Sequence, residues 1–296
     1  MPSVSLVLGS GGARGLAHIG IIQWLQENNY QIQSVAGSSI GAVVGGIFAA
    51  GKLPVYAEWV TALSKADVLL LLDFSFSRGG LFKGERIIEL LKELIGEYNI
   101  EDLPIAFTAV ATDVIAGKEV WIDRGSLFDA IRASFAIPTL FTPHEYCGRR
   151  LLDGGLVNPV PIAPTLKDLT DMTIAVDLNG REMTISHETD NHKPTQGPEG
   201  HYKKLINKFV EELSHRKQDR NDKWGFFEIL QHSFDTMQTT ISRLKLAVYS
   251  PDVVIEIPKN ACGPFEFYRA AEMIALGRRI AEQSMAAANS DIATLG

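Results

Sequence analysis

Apolar positions along this chain follow two periods, and the change from one to the other outlines its elements. Val4 to Leu8 is a short apolar run of strand character, broken by Gly9-Ser10-Gly11-Gly12-Ala13-Arg14-Gly15. Leu16, Ile19, Ile22 and Leu25 then recur at helical spacing. A second strand over Gln33-Ser34-Val35-Ala36 leads into Gly37-Ser38-Ser39-Ile40-Gly41 and a small-residue helix, Ile40 to Ala50, stopped by Gly51. Pro54 opens a helix through Leu63, residues 66–80 read as a core segment plus loop ahead of the alternative of a pocket wall or membrane-contact rim, and Gly84 to Gly96 is an amphipathic helix. Pro104 to Thr112 and Glu119 to Asp123 are strands around the Gly117 turn, Ser126 to Ser134 is a short helix ended before Pro138, and a strand pair turns at Gly148. A helix through about Leu169, a strand at Met172 to Leu178, a long amphipathic helix from Phe226 to Val248, a strand at Val253 to Ile257 and an Ala-rich helix from Phe265 to about Ala288 complete the alternation.

Composition narrows the class. With 296 residues, 46% of them hydrophobic, the chain can bury a large α/β core. A net charge of -7 argues against a nucleic-acid partner, which calls for a basic face. Cys147 and Cys262 are far apart in sequence and suggest neither a disulfide framework nor a zinc site; both read as buried small hydrophobes. The N-terminal stretch lacks a basic segment before its apolar run, and Val68 to Leu72 is too short to span a bilayer, so the expected location is cytoplasmic. Residues 181–225 are polar and charged, with His187, His192, His201 and His215 at irregular spacings that do not form a metal set. Leu205, Ile206, Phe209, Val210 and Leu213 mark one helix face within them. The expectation is a single domain over 1–296 with a polar, helical insertion at about 181–250.

Three glycine-supported features carry the candidate chemistry. Gly37 to Gly41 is a G-x-S-x-G turn between strand and helix, which would present Ser39 at a helix N-terminus beside the amide of Ile40. The loop from Gly9 to Gly15 can bring amides to an anion. A dinucleotide site would want an acid at the end of the next strand, and Ala36-Gly37-Ser38-Ser39 has none, so an oxyanion loop ranks above a cofactor loop. Asp153-Gly154-Gly155 is either a plain turn or a carboxylate exposed where the backbone passes close to something else. Arg14 either orients the glycine loop through backbone carbonyls or attracts an anionic group, and His18 reads as a packed helical residue.

Taken together, Ser10-Gly11-Gly12-Ala13-Arg14-Gly15, Gly37 to Gly41, Ala133 to Pro138 and Asp153 to Gly155 resemble, in order, the four motifs of the patatin-like phospholipases. The likeness covers roughly residues 4–180 and is strongest to the bacterial single-domain branch related to the neuropathy target esterase catalytic domain. Ser10 departs from the pattern, which has glycine there. The resemblance implies a three-layer α/β/α sandwich with a mostly parallel sheet. It also implies a Ser39-Asp153 dyad with no histidine between, an oxyanion hole from the amides of Gly11 and Gly12 with Ile40, and no cofactor or metal. A base at neutral pH further requires that Asp153 be shielded from solvent. His144, after Pro143, is the minor alternative as a third member. The implied substrate is a phospholipid or lysophospholipid ester, with transient contact to the inner membrane face. A general carboxylesterase or thioesterase, or a non-hydrolytic regulatory protein, stands as the alternative.

Overall fold

The computed structural model describes residues 1–71, 84–138, 140–183 and 226–295. Two compact units are present, residues 1–183 with 234–296, and residues 184–233. The predicted helix face at 205–213 and the four histidines of that stretch lie outside the described residues.

The first unit is organised on an eight-stranded sheet. Its strands are β1 (Ser3–Leu8), β2 (Gln31–Ser38), β3 (Ala106–Asp113), β4 (Lys118–Ile122), β5 (His144–Tyr146), β6 (Arg149–Asp153), β7 (Met172–Gly180) and β8 (Val253–Pro258). Pairing runs β8-β7-β1-β2-β3; β4 takes one edge of β3, and β6, itself paired with β5, joins β3 at residues 111–113, beyond the residues that pair with β2. The run from β3 through β2, β1 and β7 to β8 is parallel, while β4, β5 and β6 pair antiparallel. The described α-helices are α1 (Ala17–Glu27), α2 (Ile40–Ala49), α3 (Leu53–Ala62), α4 (Lys65–Leu71), α5 (Glu85–Ile95), α6 (Leu127–Ser134), α7 (Phe226–Tyr249) and α8 (Ala270–Leu295). Among the described residues no helix is long and apolar enough to cross a membrane.

The two-residue strand period separates the faces of the sheet. Val4, Leu6 and Leu8 of β1 enter the large core with residues of α1, α2, α5, α6 and α8. Val7 and Ala175 point the other way, onto Val160, Ile162 and, from α7, Leu246 and Tyr249. Helices therefore cover both faces, in the three-layer arrangement that the sequence resemblance implies.

Two expectations fail locally. The helix through Leu169 is only a 3-10 turn, Ala163–Thr165; Pro161 and Pro164 remove amide donors, and Leu169 is 99% exposed, so no apolar face exists to hold a longer helix. Cys147 is exposed rather than buried, because with Gly148 it forms the hairpin turn between β5 and β6 (φ 49° and 72°). Cys262 is buried as expected, and burial pushes its thiol up to about 11.

Candidate active site

The site forms where β2 and β6 meet on one edge of β3. Both β4 and β2 pair with Val110, so they occupy opposite edges, and both β4 and β6 pair with Ala111, so they do too. Hence β6 continues the line of β2. Ser38 pairs with Val110 and Asp153 with the next residue, Ala111. Consecutive rungs of one strand thus bring together the ends of two segments remote in sequence.

Ser39 is the N-cap of α2 and has φ 56° and ψ -123°. This conformation is sparsely populated for a residue with a side chain and costs on the order of 1–3 kcal/mol. The turn holds because Gly41 admits the backbone of β1. A Cβ at Gly41 would lie 2.1 Å from the carbonyl oxygen of Leu8. Ser39 donates its hydroxyl to Asp153 Oδ2 at 2.5 Å, and both residues are buried. Asp153 Oδ1 accepts the Gly155 amide at 2.7 Å, and Thr112 Oγ1 donates to the Asp153 carbonyl at 2.8 Å. Burial raises the Asp153 carboxyl to about 7, against the smaller opposing pull of the Ser39 and Gly155 hydrogen bonds. The shielding expected from sequence is present, and at neutral pH the group is poised between its two protonation states.

The segment Ala133 to Pro138, quoted above only as a motif, proves to clamp both residues. The Ser39 amide donates to Ser134 Oγ at 2.9 Å, and Ser134 Oγ donates on to the Val110 carbonyl at 2.6 Å. The Asp153 amide donates to the Ala136 carbonyl at 2.9 Å. Ser134→Ala leaves the buried Ser39 amide without its acceptor, which costs about 1–3 kcal/mol of stability. It also loosens a strained backbone next to the reactive hydroxyl. We expect kcat for a short ester to fall at least tenfold with KM nearly unchanged; unchanged kcat in a folded variant would deny Ser134 this role.

The glycine loop lies beside the serine. Arg14 donates from Nε to the Gly11 carbonyl at 3.1 Å and from Nη1 to the Lys259 carbonyl at 2.6 Å, so its contacts are those of a loop-orienting residue. His18 contacts the Gly9 carbonyl through Nε2 at 2.9 Å beneath the loop, and burial lowers its pKa to about 4, leaving it neutral. Among the described residues the amides of Gly11, Gly12 and Ile40 donate to no protein acceptor. His144 instead faces Asp129 at 3.9 Å, on β5. No cluster of metal-ligating side chains occurs among the described residues.

Ser39 and Gly12 open onto a cavity of about 130 Å³ whose remaining wall is apolar or aromatic. α3 supplies Tyr56, Trp59 and Val60, α5 supplies Ile87 and Leu91, and Phe135 and Phe141 close one side edge-to-face at 5.3 Å. Val68 and Leu71 of α4 also line it, so the described part of the 66–80 stretch is wall as well as core.

The profile of the family described as Patatin-like phospholipase matches residues 6–166. An uncharacterized NTE family protein of Mycobacterium tuberculosis is 38% identical over 335 residues, covering 98% of this chain and 93% of that protein. The protein named Neuropathy target esterase sws of Drosophila persimilis is 36% identical over 168 residues, 54% of this chain and 12% of its own length. In structure the chain is similar to VipD from Legionella pneumophila, with TM-score 0.47 and 14% identity over 97% of this chain and 67% of that one.

Proposed function

The chain belongs to the patatin-like phospholipase family, and from that premise we propose that it is a serine acyl hydrolase of lipid esters working through Ser39 and Asp153. The observation that carries this reading is the 2.5 Å contact of the Ser39 hydroxyl with a buried carboxyl, Ser39 itself lining an apolar cavity. Ionised Asp153 takes the Ser39 proton as Oγ attacks the ester carbonyl. The amides of Gly11, Gly12 and Ile40 receive the oxyanion, favoured further by the N-terminus of α2. Asp153 then gives the proton to the departing alcohol, and an acyl-Ser39 ester remains. Water attacks that ester, Asp153 accepts its proton, and Ser39 leaves as the restored hydroxyl with the fatty acid released. Each half-reaction returns the carboxyl to its starting state.

The acyl chain fills the apolar cavity, so rate should grow with chain length. Each added methylene that leaves water contributes about 0.8 kcal/mol, roughly fourfold in kcat/KM. Hydrolysis of p-nitrophenyl acetate, butyrate and hexanoate, and of a lysophosphatidylcholine, by wild type and Ser39→Ala tests this. We expect a steep rise along the series, cleavage of the lysophospholipid, and loss of at least a thousandfold in the variant. An inert wild type, or a Ser39→Ala protein that keeps its activity, would remove the proposal; a flat series would remove the cavity as the acyl site.

A further inference from the structure

Gln238 of α7 lies outside the four sequence motifs and outside the residues matched by the family profile. It is 5% exposed. Helix α7 meets this part of the molecule with a polar face. Gln238 and Ser242 are buried, Asn179 Nδ2 donates to Ser242 Oγ at 3.5 Å, and Lys245 pairs with Glu119 at 3.5 Å. Met237, Leu244 and Val248 of the same helix are exposed. Burying a carboxamide while leaving neighbouring apolar side chains in water is the reverse of what the hydrophobic effect alone selects.

Gly155 shows what the carboxamide reaches. A Cβ built there would stand 2.3 Å from Gln238 Nε2, 2.6 Å from Ser10 Oγ and 2.9 Å from Asp153 Oδ1. Polar atoms from α7, the glycine loop and the Asp153 turn therefore converge on one α-carbon, that of the residue whose amide holds Asp153 Oδ1. Ser10 is itself buried, and its hydroxyl makes no hydrogen bond among the described residues. We infer that Gln238 is a positioning residue that packs with Ser10 on Gly155, fixing the Gly154-Gly155 turn and so holding the Asp153 carboxyl in the orientation that receives the Ser39 proton. The inference rests on the serine-hydrolase reading above. Of the charged side chains on the surrounding elements, Arg14 donates to the Gly11 and Lys259 carbonyls and feels the charges of Asp235, one turn before Gln238 on α7, and of Asp177; Asp177 accepts from Asn179, and Lys245 pairs with Glu119. A charge placed at 238 should consequently be felt by Asp153.

The test is the pH dependence of p-nitrophenyl butyrate hydrolysis by full-length wild type, Ser39→Ala, Gln238→Leu, Gln238→Glu and Thr240→Glu, with folding checked by circular dichroism. Gln238→Leu keeps the bulk and removes the amide; kcat should fall at least tenfold while KM stays within about twofold. Gln238→Glu sets a second carboxylate beside the first, and the pair gives up its last proton at higher pH, moving the acid limb of the rate profile up by about one to two pH units. Thr240, exposed on the same helix, should leave the limb in place when changed to Glu. Both effects are required for the inference. A folded Gln238→Leu protein with kcat within twofold of wild type overturns it, and so does an acid limb unmoved by Gln238→Glu. An active wild type abolished by Ser39→Ala but indifferent at 238 removes only this inference, whereas an inert wild type removes the hydrolase reading and this one with it.

Discussion

Asp153→Asn should lose at least a thousandfold in kcat/KM and, at pH 8, unfold with more difficulty than wild type. The activity loss follows from removing the base in contact with Ser39. The gain in stability follows from burial. The carboxyl sits at about 7 in the folded chain against an ordinary value of 3.8. Below pH 3.8 both folded and unfolded states hold the proton and nothing is lost. As pH rises, the unfolded state releases its proton first, and folding loses free energy until the folded carboxyl ionises near 7, beyond which the loss is constant. Three units at 1.36 kcal/mol each make that loss about 4 kcal/mol by pH 8. Asparagine does not titrate, can accept from Gly155 through Oδ1 and can donate to Ser39 Oγ through Nδ2. Urea unfolding at pH 4.5 and pH 8 should therefore show the variant's advantage widening with pH toward about 4 kcal/mol. An advantage that does not change with pH would mean that Asp153 ionises at no cost to the fold.

Gly41→Ala should be the most damaging one-methyl change near the site. The new carbon would meet backbone, 2.1 Å from the Leu8 oxygen and 2.6 Å from its carbonyl carbon, so no rotamer change relieves it. Overpacking of this kind costs about 1–3 kcal/mol or more, and α2 must back away from β1. Ser39 caps that helix and moves with it; a displacement near 1 Å lowers rate on the order of a hundredfold. Gly45→Ala, four residues along the same helix, is the contrast. Its nearest obstacles are side chains, Val35 Cγ1 at 2.7 Å and Leu8 Cδ1 at 3.2 Å, and alanine favours the helix by about 1 kcal/mol. Thermal unfolding and ester hydrolysis of the two variants should separate clearly. Equal behaviour would mean that the approach of β1 does not fix the turn.

Much of this was legible in the chain because close backbone approaches leave glycines behind. The turn around Ser39, the loop at Gly11 and Gly12 and the Asp153-Gly154-Gly155 stretch each announce a crowded place, and the β/α alternation fixes which end of the sheet they share. Contacts made by ordinary side chains leave no such trace. Ser134 stood in a quoted motif, but only the pairing of β2 with β3 shows that its hydroxyl bridges Ser39 and Val110. The side-chain packing of Gln238 against Gly155 crosses more than eighty positions and obeys no period, so helical amphipathicity alone could not reveal it. The missing helix near Leu169 is a simpler case, in which two prolines outweighed the expected alternation.

The meeting of β2 and β6 on one edge of β3 has a consequence for when the protein becomes reactive. Ser39 and Asp153 are 114 positions apart. In an unfolded chain they are an ordinary alcohol and an ordinary acid, and neither activates the other. The near-neutral proton affinity, the held serine amide and the short contact all arise from the same long-range pairing. A nascent or damaged chain that lacks that pairing has secondary structure at most, not a nucleophile, so regain of ester hydrolysis during refolding reports closure of the sheet more strictly than regain of helix does.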